Sequence, residues 1–171
     1  DAAASVGEKV SWVDQRVSFD PRSVPMSLQL REYQAKAVTA LVSKQQGFVV
    51  VPCGGGKTVI GVAALNATGQ PSLVIVHTKE LLEQWCAAFK SALKMRAGTI
   101  SEGESEPGHF TVATIQTLAS MHTKDLAQLA RDFGAVVVDE LHHVPAATFQ
   151  RVLPCFAAAA IQQRQVHANT R

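Results

Sequence analysis

Apolar residues along this chain follow two rhythms. Short continuous runs stand at Phe48-Val49-Val50-Val51, Leu73-Val74-Ile75-Val76, Phe110-Thr111-Val112-Ala113 and Ala135-Val136-Val137-Val138. Runs this short and this rich in β-branched side chains read as strands of a parallel sheet, buried on both faces. Between the runs, apolar positions return every three or four residues. Leu30, Tyr33, Ala37, Val38 and Leu41 predict a helix over residues 30–42, and Leu81, Leu82, Trp85, Phe89 and Leu93 one over residues 79–93. Shorter helices are expected over 57–67, 125–131 and 146–153. Strands alternating with helices predict an α/β fold with a mainly parallel sheet flanked by helices. Residues 98–109 contain glycine and carry Glu102, Glu104 and Glu106, which predicts a solvated hairpin or loop. Residues 1–27 are weakly patterned: 10–19 could form a strand, and Pro21 and Pro25 break the pattern after it. They read as a lead-in or the end of an upstream region.

The run ending at Val51 leads into Pro52-Cys53-Gly54-Gly55-Gly56-Lys57-Thr58 and then into a helical pattern. Three successive glycines let a backbone turn tightly and point its N–H groups at phosphate oxygens. The helix beginning near Lys57 adds its positive N-terminal dipole to such an anion site. Lys57 supplies a charge for β- and γ-phosphates, and the Thr58 hydroxyl a ligand for Mg²⁺. The pattern G-x-x-x-x-G-K-[ST] is met except at its first position, which holds Val51.

A second acidic element completes a nucleotide site. Val136-Val137-Val138-Asp139-Glu140 is a strand ending in two carboxylates. Ligands of open parallel sheets sit at the carboxyl ends of the strands. That places Asp139 to hold Mg²⁺, through water, and Glu140 to orient or deprotonate an attacking water. A nucleoside triphosphate and Mg²⁺ are therefore the expected ligands.

Composition narrows the class. The chain has 171 residues, 47% hydrophobic and 18% charged, enough for one globular domain. A net charge of +2 argues against an all-over nucleic-acid coat and leaves room for a local basic groove. Cys53, Cys86 and Cys155 are odd in number and widely spaced, which suggests reduced thiols in a cytoplasmic protein. No apolar run is long enough to span a membrane, and no signal-peptide pattern opens the chain. Asn66-Ala67-Thr68 fits a glycosylation sequon, discarded for want of a secretory signal. The pair His142-His143 has no further Cys or His at zinc-ligand spacing.

With these elements in order, residues 28–156 resemble the first motor domain, RecA-like in fold, of superfamily-two helicases, nearest the XPB-like branch of the DEAD/DEAH-box enzymes. Leu30-Arg31-Glu32-Tyr33-Gln34 resembles the element that precedes the phosphate loop in that family, which implies that Gln34 reads the adenine edge and that Arg31 is among the ATP-binding residues. Residues Pro52, Cys53, Gly54, Gly55, Gly56, Lys57 and Thr58 match its phosphate loop, which often lacks the leading glycine. Val76 to Trp85 resembles motif Ia, and Val112 to Leu118 motif Ib. The resemblance implies that Thr78 and Lys79, and Thr114 and Gln116, grip one nucleic-acid strand by its phosphates, with DNA favoured over RNA. Asp139-Glu140-Leu141-His142 is a variant of the Asp-Glu-x-His box, and His142 would couple the site to a second RecA-like domain, in cis or in trans.

The resemblance weakens after residue 156. The family continues into a central apolar strand between the phosphate-loop strand and the Asp139 strand. Here residues 157–171 contain Gln162, Gln163, Arg164 and Gln165, which suit a short polar helix or a frayed end better than a buried strand. The expected fold is thus incomplete at its C-terminal end, and this chain alone is expected to hydrolyse ATP poorly and unwind nothing. The competing reading is a regulatory or assembly module that binds nucleotide without turnover. A guanine-nucleotide switch is disfavoured, because no Asn-Lys-x-Asp element occurs.

Overall fold

A computed structural model describes residues 19–45, 47–52, 54–140 and 146–161. The elements run α1 (Glu32–Lys44), α2 (Lys57–Thr68), β1 (Ser72–Val76), α3 (Lys79–Leu93), β2 (Gly98–Ser101), β3 (Glu104–Glu106), β4 (Phe110–Thr114), α4 (Ile115–Ser120), α5 (Thr123–Ala130), β5 (Ala135–Val138) and α6 (Ala146–Ile161). The sheet order is β3-β2-β4-β1-β5. Only the short β3 is antiparallel; β2, β4, β1 and β5 are parallel to one another. The expected mainly parallel α/β architecture is present.

The period-two geometry of a strand divides the core. Val74 and Val76 of β1 face Val62 and Leu65 of α2 and Leu82, Trp85 and Phe89 of α3. Leu73 and Ile75, one residue out of step, face Leu118 of α4, Leu126 of α5 and Val152 and Phe156 of α6. The central strands β1 and β4 are buried along their whole length. Their continuous apolar runs follow from this burial on two faces. Phe89 stacks on Phe110 with ring centroids 4.9 Å apart, which fixes α3 on the sheet.

The run at Phe48 departs from expectation. Residues 47–52 form no strand, and Phe48 and Val50 are 92% and 96% exposed. The reason lies at the sheet edge. Among the described residues β5 pairs with β1 alone, and no strand lies on its other side. An apolar run without a neighbouring strand to take its N–H and C=O groups has no sheet to join. Helix α1 shows the same effect: of its residues only Gln34 is buried, since its apolar stripe meets chiefly α2 rather than a strand.

Other departures are smaller. The expected hairpin forms from β2 and β3, but its first strand joins the sheet and Ile100 is fully buried. Helix α4 has no counterpart among the expected elements. Helix α6 runs past Pro154 to Ile161, beyond the stop expected at residue 153. A proline inside a helix removes one hydrogen bond, yet the packing of Val152 and Phe156 on the core holds the helix together across it. The candidate strand at 10–19 lies, but for Phe19, outside the described residues, as do residues 162–171.

Residues 19–27 are stitched to the domain. Asn66 uses both ends of its amide on the backbone of Val24, at 3.0 and 2.9 Å, and Ser27 N–H donates to the Ala92 carbonyl at 2.7 Å. Asn66 is buried. That burial independently removes it as a glycosylation acceptor.

Candidate nucleotide site

Gly56 caps the N-terminus of α2 at φ +76°, a left-handed conformation that glycine adopts without penalty. A side chain there would also collide with the Gln34 amide, 2.6 Å from the position its Cβ would take. From this cap α2 starts with Lys57 and Thr58, so both stand at the positive end of the helix dipole.

The other half arrives from β5. Its register against β1 ends at Ile75↔Val138, and the Asp139 N–H donates to the Ile75 carbonyl at 3.0 Å, which carries the alignment one residue further. The chain then turns at Glu140, whose φ of +52° is left-handed and strained for a residue with a side chain. That turn directs the carboxylate back at the glycine loop. Glu140 Oε1 accepts from Lys57 Nζ at 2.8 Å, across 83 positions of sequence. Asp139 does not take this partner. Its Oδ2 accepts from the indole Nε1–H of Trp85 on α3 at 2.8 Å.

The Lys57–Glu140 pair is partly open to water, with side chains 42% and 24% exposed. Such a pair contributes on the order of 1 kcal/mol or less. It keeps the amine beside the glycine loop but is weak enough for a phosphate to replace the carboxylate.

On the α1 side, where the resemblance implies adenine, Gln34 is buried and acts as a clamp. Its Oε1 accepts from the Arg31 N–H at 2.9 Å, and its Nε2 donates to the Gly55 carbonyl at 3.2 Å. Each amide atom retains a second lone pair or proton for another partner. The Tyr33 hydroxyl donates to the same Gly55 carbonyl at 2.8 Å. The sequence pattern places Tyr33 only in an apolar stripe; its hydroxyl is a second tie on the loop. A cavity of about 580 Å³ lies here, lined by Arg31, Tyr33, Ala37, Val49, Val50, Val51, Pro52, Gly54, Gly55 and Ile60. Its apolar wall is the 49–51 segment, which no strand covers, so much of the space belongs to the open side of the sheet rather than to a nucleotide. Neither Lys57 nor Glu140 lines this cavity.

The expected strand-gripping residues gather at the same sheet end. Val76 of β1 is in register with Thr114 of β4, so Thr78 and Thr114 follow adjacent strand ends. Gln116 Nε2 donates to the His77 carbonyl at 2.8 Å and joins the two turns. Thr78 caps α3 by accepting from the Leu81 N–H at 3.2 Å, and Lys79 is exposed. Thr114 is buried, its hydroxyl 2.8 Å from that of Thr117. Thr114 thus holds the turn, which leaves Thr78, Lys79 and Gln116 nearer to solvent. Cys53 and His142 lie outside the described residues. Trp85 is the residue the sequence did not reveal: its spacing places it in a core stripe, and nothing in that spacing reports where an indole N–H points.

Known proteins resemble this chain over most of its length. Over 137 residues the chain is 35% identical to "Putative DNA 3'-5' helicase Rad25" of Halobacterium salinarum, covering 78% of this chain and 23% of that protein. Over 154 residues it is 30% identical to "DNA 3'-5' translocase XPB2" of Sulfurisphaera tokodaii, covering 88% of this chain and 34% of that one. The chain therefore spans about a quarter to a third of the length of these relatives. Among solved structures, the UvsW helicase of bacteriophage T4 superposes with a TM-score of 0.64 at 18% identity, over 84% of this chain and 54% of that one, which establishes the shared fold. The resemblance to superfamily-two helicases of the XPB-like branch holds. The family model described as type III restriction enzyme, res subunit, matches residues 27–163, and the chain belongs to that family.

Proposed function

We propose that this chain is the ATP-binding half of a DNA-dependent ATPase motor. The observation that carries the reading is the contact of Lys57 with Glu140, which joins a glycine loop to the acidic end of β5. The donor set suits a magnesium–triphosphate complex. Thr58 and Asp139 offer hard oxygen ligands, and among the described residues no group of three or more His, Cys, Asp or Glu could hold a metal ion by itself. A magnesium ion typically takes one or two protein oxygens and completes its shell with phosphates and water.

The residues then act in turn. The loop amides and the α2 N-terminus bind phosphate oxygens. Lys57 exchanges Glu140 for the β- and γ-phosphates, with a stronger charge-assisted contact. Glu140, once released, accepts a proton from the attacking water. Thr58 and Asp139 would hold a magnesium ion, which would supply charge neutralisation on the phosphates. Gln34 and Tyr33 report loop position to the adenine side through Gly55. Thr78, Lys79 and Gln116 provide the grip on a DNA backbone, by hydroxyl, amides and charge that read no sequence, while the buried Thr114 holds their turn. The relatives' names specify DNA, and the proposed substrate follows them.

Turnover in this half is proposed to await a second RecA-like domain. The open edge of β5 and the exposed Phe48 and Val50 favour a second reading for the chain by itself, a nucleotide-binding module that does not hydrolyse. Binding of a fluorescent ATP analogue, with and without single-stranded DNA, tests both. Lys57→Ala should weaken analogue binding at least about tenfold, whereas Glu140→Gln should retain binding and abolish any residual hydrolysis. Unchanged binding in Lys57→Ala refutes the site. Rapid DNA-stimulated hydrolysis by the chain alone refutes its dependence on a second domain.

A further inference from the structure

The geometry points to Trp85 as a positioning residue that holds Asp139 for magnesium and ties that carboxylate to the helix beginning at the DNA-gripping turn. The inference rests on the nucleotide reading above and names a residue that reading does not require.

Trp85 is 2% exposed. A buried indole N–H must find an acceptor, and here the acceptor is the Asp139 carboxylate at 2.8 Å. The ring cannot swing away. Phe89 lies against it with centroids 6.1 Å apart, and Gly61 of α2 packs directly on its edge. A Cβ at Gly61 would clash with Trp85 Cη2 and lie 3.1 Å from Cζ3. Gly61 stands one helical turn after Lys57. One ring therefore touches the phosphate-loop helix and holds the acidic end of β5.

The bond occupies Oδ2 and sets the torsion of the carboxylate. Oδ1, which takes no hydrogen bond from the described residues, keeps its lone pairs unspent for a metal-bound water. Partners of this kind, bonded to a ligand rather than to the metal, typically change metal affinity about 10–100-fold when removed. The same tryptophan belongs to α3, whose first residue follows the Thr78 cap. Seven residues of helix, about 10 Å, separate that cap from the ring. The Thr78 cap and the indole that holds Asp139 thus belong to one helix.

The test is the magnesium dependence of nucleotide binding. Trp85→Phe keeps an aromatic ring and removes the donor. It should raise the Mg²⁺ concentration for half-maximal ATP-analogue binding about tenfold, while binding in EDTA stays unchanged. An unaltered magnesium midpoint overturns the inference. So does an equal loss with and without magnesium, which marks a packing role only. Should Trp85→Phe not fold, the unsubstituted indole answers the question. The chain has two tryptophans, and Trp12→Phe leaves one indole ¹⁵N–¹H cross-peak. That peak should shift on adding Mg²⁺ with ADP and hold still with ADP in EDTA; no magnesium-dependent shift overturns the inference. Failure of the unsubstituted chain to bind the analogue at all is a different result, and removes the nucleotide reading itself.

Discussion

Gly61→Ala adds one methyl group in the middle of α2, and the surroundings decide its sign. In an open helix this substitution stabilises by about 0.8–1 kcal/mol, because alanine loses less backbone freedom on folding. Here the new Cβ would lie 3.1 and 3.4 Å from Trp85 Cζ3 and Cζ2 and closer still to Cη2, against a comfortable carbon separation of about 3.5–4.0 Å. The ring has no easy retreat, being buried between Phe89 and Asp139. Overpacking of this sort costs about 1–3 kcal/mol. A ring pushed off its carboxylate adds the loss of a hydrogen bond to a charged group, about 1.5–3 kcal/mol. Even a partial loss outweighs the propensity gain, so the expected net effect is a destabilisation of about 1–3 kcal/mol. Urea unfolding followed by far-ultraviolet circular dichroism measures it. With a slope of about 1–3 kcal/mol/M, the midpoint should fall by roughly 1 M. A midpoint that is unchanged or raised would mean that the α2–α3 contact is loose, and would refute the close packing of Trp85 on α2.

Two further outcomes test other parts of the structure. Val50→Ser should leave the unfolding free energy from urea titration within about 0.5 kcal/mol of the parent, as expected for an exposed position, whereas a loss of several kcal/mol would show that the 48–51 run is buried after all. Glu80 has its pKa lowered, first by its own backbone N–H and then by the Thr78 hydroxyl. A folded-state value below the ordinary 4.5 means that the folded chain favours the carboxylate more than the unfolded chain does. Its contribution is therefore complete above that ordinary value and disappears as pH falls through the lowered one. The melting temperature of Glu80→Gln should lie below the parent's near neutrality and converge with it as pH falls below the lowered pKa; a gap that persists in acid contradicts the assignment.

Local pattern and tertiary context made separable contributions, and the elements show where the line falls. The strand runs at Leu73, Phe110 and Ala135, the amphipathic stripe of α3 and the glycine–lysine–threonine loop are legible because each expresses a local rule: continuous apolar character for a doubly covered strand, a 3.6-residue period for a helix, small residues where a backbone must bend around an anion. The Asp-Glu pair is legible too, since the end of a parallel strand is where ligands gather. The run at Phe48 carries the same local signal as Leu73 and yet forms no strand. A strand is completed by hydrogen bonds from a neighbour, and no local pattern states whether the neighbour is there. Helix α6 passes Pro154 for a related reason, as Val152 and Phe156 bury against the core. The choice of Glu140 rather than Asp139 as the partner of Lys57 depends on a left-handed turn after β5. The direction of the Trp85 indole depends on three elements packing around one ring. Sequence determined which segments fold and which chemistry they carry; only the tertiary structure decided which side chains meet, because contacts between residues dozens of positions apart are settled by packing and not by periodicity.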